Sequence, residues 1–304
     1  MNPDAHTRNE FLLDVGDGHQ LFVYDWGNPD AKIPIIHLHG GPGDGSKDKH
    51  REIFDPTVHR VIFFDQRGCG RSLPYGSLEH NTTDDLVDDI TKIADHLKIK
   101  QFYIVGSSWG SFLGLVYAIR NPKRVAGLIL SGIFTGSKGE LEWVSEGRFK
   151  PFYPEAWELF LAATPESHHT HPAQYHYQKL LHGNESEQFA AALALQQLEY
   201  SILSLDDRTR TIDPSTFDPS GARIEGHYLS QGCFVSESYI LKNAHELTMP
   251  VRLVQGRYDM DCPPYTAYLL SKKIPQSKLF MTIGGHRAEH ETWNILRTIT
   301  AQIS

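Results

Sequence analysis

Short apolar runs of strand length recur through the first part of the chain, separated by polar and glycine-rich segments. Four of them are predicted as strands, at 33–38, 61–64, 102–105 and 125–130. Two more strands are predicted before them, at 10–15 and 20–26, from alternating apolar and polar residues. After Asn81-Thr82-Thr83, which is typical of a helix N-terminus, apolar residues recur with helical spacing. Strands that alternate with helices favour a mostly parallel sheet with helices on both faces, which is an α/β architecture.

The alternation stops between residues 137 and 247. This segment is rich in aromatic residues and histidine, and its apolar positions follow helical spacing. The pattern then resumes with a strand at 251–255, a helix at 265–272, a strand at 278–283 and a final helix from 289 to about 303. We therefore predict one core formed by residues 1–136 and 248–304, with a mostly helical cap at 137–247 inserted after the sixth core strand.

Charge and composition exclude several classes of function. The chain has 304 residues and a formal net charge of -8 at pH 7, without the concentrated basic stripe of a nucleic-acid-binding protein. No apolar run approaches the length of a membrane span, and the N-terminal residues lack a signal-peptide core. The cysteines, Cys69, Cys233 and Cys262, form neither a metal-binding spacing nor a paired framework. We expect a cytoplasmic protein with no nucleic-acid or membrane partner; its oligomeric state is not indicated.

The candidate nucleophile is Ser108. The predicted strand 102–105 is followed by Gly106-Ser107-Ser108-Trp109-Gly110 and then by a helical pattern at 111–120. A G-x-S-x-G sequence between a strand and a helix is typical of a serine nucleophile on a sharp turn. The glycines let the chain turn and let the helix pack closely, so that the hydroxyl is exposed above the end of the sheet.

A serine hydroxyl needs a base to take its proton, and the base needs an acid that orients it. Asp259 follows the predicted strand 251–255, and His286 follows the strand 278–283, so both lie where a triad in the order serine, acid, histidine requires them. Asp261 is an alternative acid two residues further on. His290 is an alternative base, but it falls within the final helix and is expected at the surface.

The reaction also needs hydrogen-bond donors for the oxyanion that forms when serine attacks a carbonyl. One donor is expected to be the backbone N–H of Trp109, the residue after the nucleophile. The second should come from the glycine-dense loop after the third strand, His39-Gly40-Gly41-Pro42-Gly43, where we favour the N–H of Gly41 over that of Gly40.

The insertion contains five histidines, whose spacing matches no standard metal site. They are His168, His169, His171, His176 and His182. We interpret them as polar surface residues and expect neither a metal nor a cofactor.

Four motifs are specific in combination: H-G-G-P-G at 39–43, D-Q-R-G-C-G-R-S at 65–72, S-S-W-G-S at 107–111, and G-R-Y-D at 256–259 with Cys262-Pro263. Together they resemble the proline iminopeptidase (prolyl aminopeptidase) family of the α/β-hydrolase superfamily, and the likeness runs nearly end to end. The resemblance implies an α/β-hydrolase fold with a helical cap, and release of an N-terminal residue from peptides without a cofactor. By motif position it also implies that Glu199 and Glu225 hold the substrate's ammonium and that Phe134 lines the proline pocket.

The sequence departs from the family pattern around the expected substrate pocket. Leu195 and Leu198 stand where the family tends to carry tryptophans, and Val144 and Leu229 stand where aromatic residues are frequent. Ser107 also replaces a usual glycine, and Ser131 a usual arginine. Since aliphatic walls select a flat pyrrolidine ring less strictly than aromatic walls do, the expected substrate is a short peptide with proline or a small apolar residue at its N-terminus.

Two other functions remain open from the sequence. The same scaffold could hydrolyse small esters, amides or lactones without recognising a free amine. It could also be a non-catalytic ligand receptor, although a complete triad in the right order argues against that.

Overall fold

The computed structural model describes residues 6–203, 205, 211–288 and 290–303. At its centre lies an eight-stranded sheet. Its strands are β1 (Thr7–Gly16), β2 (His19–Gly27), β3 (Ile35–Leu38), β4 (Arg60–Phe64), β5 (Phe102–Ser108), β6 (Val125–Ile133), β7 (Val251–Gly256) and β8 (Ser277–Thr282). The strand order is β1-β2-β4-β3-β5-β6-β7-β8. Strand β2 is antiparallel to β1 and β4, and all other neighbours are parallel, so the predicted mostly parallel sheet is confirmed.

Helices connect and cover the strands. They are α1 (Thr83–His96), α2 (Trp109–Arg120), α3 (Lys138–Ser145), α4 (Pro154–Ala162), α5 (Pro172–His182), α6 (Glu185–Ile202), α7 (Ser220–Ser230), α8 (Tyr239–Asn243), α9 (Pro264–Lys273) and α10 (His290–Thr300). The predicted boundaries differ by a few residues, as at the final helix, which was expected to continue to about residue 303. Residue 289, its expected start, lies outside the described residues.

The central strands are buried on both faces of the sheet, to which successive residues point alternately. Ile36 and Ile104 belong to an apolar cluster that includes α1, α2 and α9. Their neighbours Ile35 and Val105 belong to a second cluster with α10. This double burial explains why the central strands appear in the sequence as continuous apolar runs.

The segment between β6 and β7 forms only helices and turns where the structure describes it, as its helical spacing predicts. Trp157 of α4 and Ile202 of α6 belong to one apolar cluster together with Phe149. Helix α6 begins at a capping box in which Asn184 accepts a hydrogen bond from the N–H of Glu187. The division into a core and a separate cap at 137–247 stays a prediction. Among the described helices, none combines the length and the apolar character needed to cross a membrane.

Candidate active site

Ser108 lies at the end of β5 and immediately before α2, in a strained backbone conformation with φ 56° and ψ −123°. The turn depends on two close approaches: a Cβ at Gly106 would overlap the Gly110 carbonyl, and a Cβ at Gly110 would overlap the Leu38 carbonyl. The Ser111 hydroxyl donates to the Ser108 carbonyl over 2.7 Å and accepts from the N–H of Phe134 over 3.0 Å. These contacts hold the predicted nucleophile at the first turn of a helix.

Asp259 and His286 come together as predicted. The Nδ1 of His286 lies 3.0 Å from Oδ2 and 3.2 Å from Oδ1 of Asp259. Asp259 Oδ1 accepts the backbone N–H of Cys262 over 2.7 Å, and its Oδ2 accepts the Nε2 of Gln255 over 3.0 Å. Donors on both oxygens fix the carboxylate, so that it can orient the imidazole.

The alternative acid, Asp261, has a different place. Its Oδ2 lies 3.4 Å from the Nε2 of His286, on the opposite side of the ring from Asp259. Ser108 and His286 line one cavity of about 510 Å³, but no hydrogen bond joins their side chains in the described part of the molecule. The alternative base, His290, is exposed at the start of α10, as expected.

The expected oxyanion donors flank Ser108. Trp109 is the first residue of α2, where a backbone N–H has no acceptor within the helix. Gly41 has φ 106°, and a Cβ there would come within 2.6 Å of the N of Gly43. Only glycine fits this conformation, so the loop can bring its N–H groups close to the nucleophile.

Gln66 ties the two halves of this site together. Its Oε1 accepts the indole N–H of Trp109 over 2.9 Å, and its Nε2 donates to the His39 carbonyl over 3.1 Å. Its backbone N–H donates to the His39 ring over 3.0 Å. The buried amide therefore fixes the glycine loop relative to the helix that follows Ser108.

A second cavity, of about 140 Å³, separates Ser108 from the helices of the insertion; we call it the cap cavity. Glu199 of α6, Glu225 of α7 and Phe134 all line it, as the family resemblance implies. Asp261 lies in its wall as well. The four residues that depart from the family pattern, Val144, Leu195, Leu198 and Leu229, form part of its apolar lining.

The carboxylates of the cap cavity repel one another in a half-buried site. Burial raises the pKa of Glu225 to about 8, and the charge of Asp261 adds to the shift. Burial, together with Glu225 and Asp261, raises the pKa of Glu199 well above its usual value. A cation entering this cavity would relieve the repulsion and favour the ionised acids.

Ligand-type atoms of Asp261, Cys262 and His286 lie within 4.8 Å of one another, the one such group among the described residues. A metal at this point would occupy His286 Nε2, which must be free to take the proton of Ser108, while Nδ1 is already bonded to Asp259. We therefore interpret the group as part of the catalytic site and not as a metal centre.

The expectation of five surface histidines is wrong at one position. His176 is buried in α5, and its Nε2 lies 2.9 Å from the hydroxyl of Thr164. Burial lowers the pKa of this imidazole to about 4, so it is a neutral core residue. The other four, His168, His169, His171 and His182, are exposed.

Sequence comparisons identify the relatives of this chain. A model of the α/β-hydrolase fold family matches residues 33–288. The proline iminopeptidase of Arabidopsis thaliana is 40% identical over 283 residues, which cover 91% of this chain and 74% of that protein. The proline iminopeptidase of Neisseria meningitidis serogroup A is 39% identical over 280 residues, covering 91% and 89%. The chain belongs to the proline iminopeptidase family.

Solved structures agree on the fold. A proline iminopeptidase from Mycobacterium smegmatis superposes with a TM-score of 0.61 at 22% identity, over 97% of both chains. An esterase from Exiguobacterium antarcticum superposes with a TM-score of 0.64 at 16% identity, over 94% of this chain and 96% of that one. At such identities the likeness shows the α/β-hydrolase fold alone. The prediction of an α/β-hydrolase fold is thus confirmed, and so is the prediction of a serine hydrolase of the proline iminopeptidase family.

The sequence did not indicate the roles of Gln66 and Gln255 in the site, and it suggested a different role for Asp261. Gln66 stands inside the D-Q-R-G-C-G-R-S motif directly after β4, and that position was its only signal. Gln255 lies near the end of β7, and its amide also accepts the Ile133 N–H over 2.7 Å. Asp261 was considered only as an alternative to Asp259, whereas the structure of this proline iminopeptidase homologue places it at the other ring nitrogen.

Proposed function

We propose that this protein is a serine aminopeptidase that releases an N-terminal proline or small apolar residue from short peptides. The observation that carries the proposal is the joint lining of the cap cavity by Ser108, Glu199 and Glu225. A small cationic amine held among buried carboxylates would present the first peptide carbonyl to the serine. Longer chains would have to leave through the larger cavity, which Ser108 also lines.

The reaction proceeds through an acyl-enzyme. Ser108 Oγ attacks the first peptide carbonyl while its proton passes to His286 Nε2, and Asp259 orients the ring and stabilises its charged form. The N–H groups of Trp109 and Gly41 receive the oxyanion. Collapse of the tetrahedral intermediate transfers the proton to the leaving amine and frees the shortened peptide. Water then hydrolyses the ester at Ser108 by the same proton transfers in reverse.

The aliphatic lining bears on the preferred N-terminal residue. Phe134 supplies one flat aromatic surface, whereas Leu195, Leu198 and Leu229 supply flexible apolar contacts. Apolar pockets discriminate between residues of similar size by only about 1–3 kcal/mol. We therefore expect alanine and other small apolar residues to be accepted beside proline.

A panel of aminoacyl-β-naphthylamides, each with a free or an N-acetylated amine, tests the proposal on the wild type and on Ser108→Ala. The free prolyl substrate should be hydrolysed by the wild type, the acetylated one should not, and Ser108→Ala should be inactive on both. Comparable turnover of the acetylated substrate would instead support an ester or amide hydrolase without amine recognition. Failure of the wild type to react with any substrate or with a serine-directed organophosphonate would support a non-catalytic protein.

A reduced intracellular environment suits this proposal, since Cys69, Cys233 and Cys262 are all free thiols. We infer short peptides as the partners of the enzyme and propose no further ligand.

A further inference from the structure

The imidazole of His286 lies between two carboxylates. Asp259 bonds its Nδ1 at 3.0 Å, and Asp261 Oδ2 lies 3.4 Å from its Nε2. A histidine can donate from both nitrogens only when it is protonated, and an imidazolium has no lone pair with which to accept a proton. Because Nε2 is the nitrogen that serves Ser108, this arrangement favours an inactive base.

The charges around the ring strengthen this effect. Burial alone would lower the pKa of His286, but the carboxylates of Asp259, Asp261 and Glu199 outweigh it and raise the pKa to about 10. The carboxylates that bond or approach both ring nitrogens therefore favour the imidazolium. Other titratable groups surround this cluster from neighbouring elements: Asp44, Glu140, Tyr177, Glu225 and Cys262.

Asp261 also belongs to the wall of the cap cavity, together with Glu199 and Glu225. No lysine or arginine lines this cavity within the described chain. The imidazole of His286, with Nε2 3.4 Å from Asp261 Oδ2, is the cationic partner of this carboxylate. A substrate ammonium in the cavity would supply a second positive charge to the same carboxylates. It would repel the imidazolium and replace it as the partner of Asp261.

We propose that Asp261 is a positioning residue that holds His286 Nε2 until a substrate binds and then exchanges it for the substrate's ammonium. The ring then loses its Nε2 proton to solvent, and the freed lone pair turns to the Ser108 hydroxyl. The base thus becomes competent only when a cationic amine is bound, which couples amine recognition to nucleophile activation. This inference rests on the proposed function and adds a role that Asp259, Glu199 and Glu225 do not fill.

The reactivity of Ser108 toward a small neutral organophosphonate tests the proposal, because this reagent needs the base but carries no amine. At pH 7 the wild type should be inactivated slowly, and methylammonium chloride should accelerate the reaction about tenfold or more. Sodium chloride at equal ionic strength should not. Asp261→Asn should react fast without methylammonium and gain nothing from it. Asp88→Asn removes the same charge from the exposed face of α1 and should behave as the wild type.

A merely structural role for Asp261 would give a different pattern. Asp261→Asn would then lose reactivity and thermal stability together, and Asp261→Glu, which retains the carboxylate, would not restore the response to methylammonium. Equal inactivation of the wild type with and without methylammonium would also overturn the proposal. If free and acetylated prolyl substrates remain distinguished in that case, the proposed aminopeptidase function stands and only the role of Asp261 fails.

Discussion

Ser108 shows how strongly single residues control the catalytic turn. It adopts φ 56° without the freedom of a glycine, and the strain persists because Gly106 and Gly110 allow the adjacent backbone to approach. Any side chain at Gly110 would meet the Leu38 carbonyl, which belongs to β3 and cannot move independently of the sheet.

Gly110→Ala should therefore displace the nucleophile. We expect a loss of stability of about 1–3 kcal/mol from overpacking and a fall in kcat/KM of about a hundredfold from misplacement of Ser108. Urea unfolding and peptide hydrolysis measure the two effects. Gly139→Ala in α3 is the matched control, because a Cβ there meets nothing within 4 Å. Wild-type kinetics for Gly110→Ala would contradict the packing argument.

Cys262 offers a second residue-scale prediction. Its thiol is buried, lies close to Ser108, and has a pKa raised well above the usual value by burial, Asp261 and Asp259. A bulky thiol reagent should inactivate the enzyme slowly, by crowding His286, and Cys262→Ala should abolish that inactivation. Cys69→Ala and Cys233→Ala, at two other buried thiols, should keep it. Full sensitivity of Cys262→Ala would disprove the assignment and direct attention to Cys69.

At the scale of elements, the loop after β4 is joined to α1 by a buried ion pair. Arg67 donates from Nε and Nη2 to both oxygens of Asp89, over 2.7 and 2.8 Å, and both side chains are almost fully buried. This pair anchors the motif loop that also carries Gln66. Removing Asp89 would leave the buried guanidinium of Arg67 with only the more distant carboxylates of Asp17 and Asp85, at 3.6 and 3.8 Å.

Asp89→Asn should consequently lower the free energy of unfolding by about 3–5 kcal/mol. Chemical denaturation measures the loss, and peptide hydrolysis at low temperature should be affected less than stability. Glu146→Gln, which removes one of the two carboxylate partners of the exposed Arg148, should change stability much less because solvent screens these pairs. Equal effects of the two substitutions would refute a structural role for the buried pair.

Element order and type were predictable from the sequence because the central strands, covered on both faces, are continuous apolar runs, whereas β1 shows alternation. The triad was predictable for a related reason: Ser108, Asp259 and His286 follow the carboxyl ends of parallel strands, which meet at one edge. The position of Asp261 was not predictable. Asp259 and Asp261 are two residues apart, and the path of the turn after β7 decides which carboxylate faces Nδ1 of His286. The sequence contains no periodic pattern in this turn.

The burial of His176 was missed for a similar reason. Its helix, α5, has an apolar face formed with residues such as Ala173 and Leu180, and the histidine lies on that face with Thr164 as its hydrogen-bond partner. Because the other histidines of the group are exposed, the sequence pattern does not show that His176 points into the core. Gln66 and Gln255 were missed because a glutamine has no charge and no spacing rule that marks it as part of a site.

On the scale of the whole molecule, the enclosed acids make stability depend on pH. Glu225 has a pKa raised from 4.5 to about 8 by burial and Asp261, so the folded state binds its proton more tightly than the unfolded state does. His286 has a pKa raised to about 10 by its carboxylate neighbours, despite its burial. Both groups therefore contribute less to the stability of the fold as pH rises. The contribution of Glu225 is lost between about pH 4.5 and 8, and that of His286 between about pH 6.5 and 10.

The melting temperature of Ser108→Ala should accordingly fall between pH 6 and pH 9. Glu225→Gln in the same background should flatten the decline up to about pH 8, because its share of the proton linkage is removed. Methylammonium should raise the melting temperature more at pH 8 than at pH 6, since it pairs with the ionised acids. A melting temperature that rises over this range would contradict the charge arrangement of the cavity.

The most direct test of the central claim compares kcat/KM for prolyl-β-naphthylamide and its N-acetyl derivative in the wild type and in the double variant Glu199→Gln/Glu225→Gln. If the cap acids hold the ammonium above Ser108, the wild type should prefer the free amine by a factor of about 10³ or more. The double variant should lose most of this preference while its Ser108 still reacts with an organophosphonate. An unchanged preference in the double variant would show that the amine is recognised elsewhere and would contradict the account.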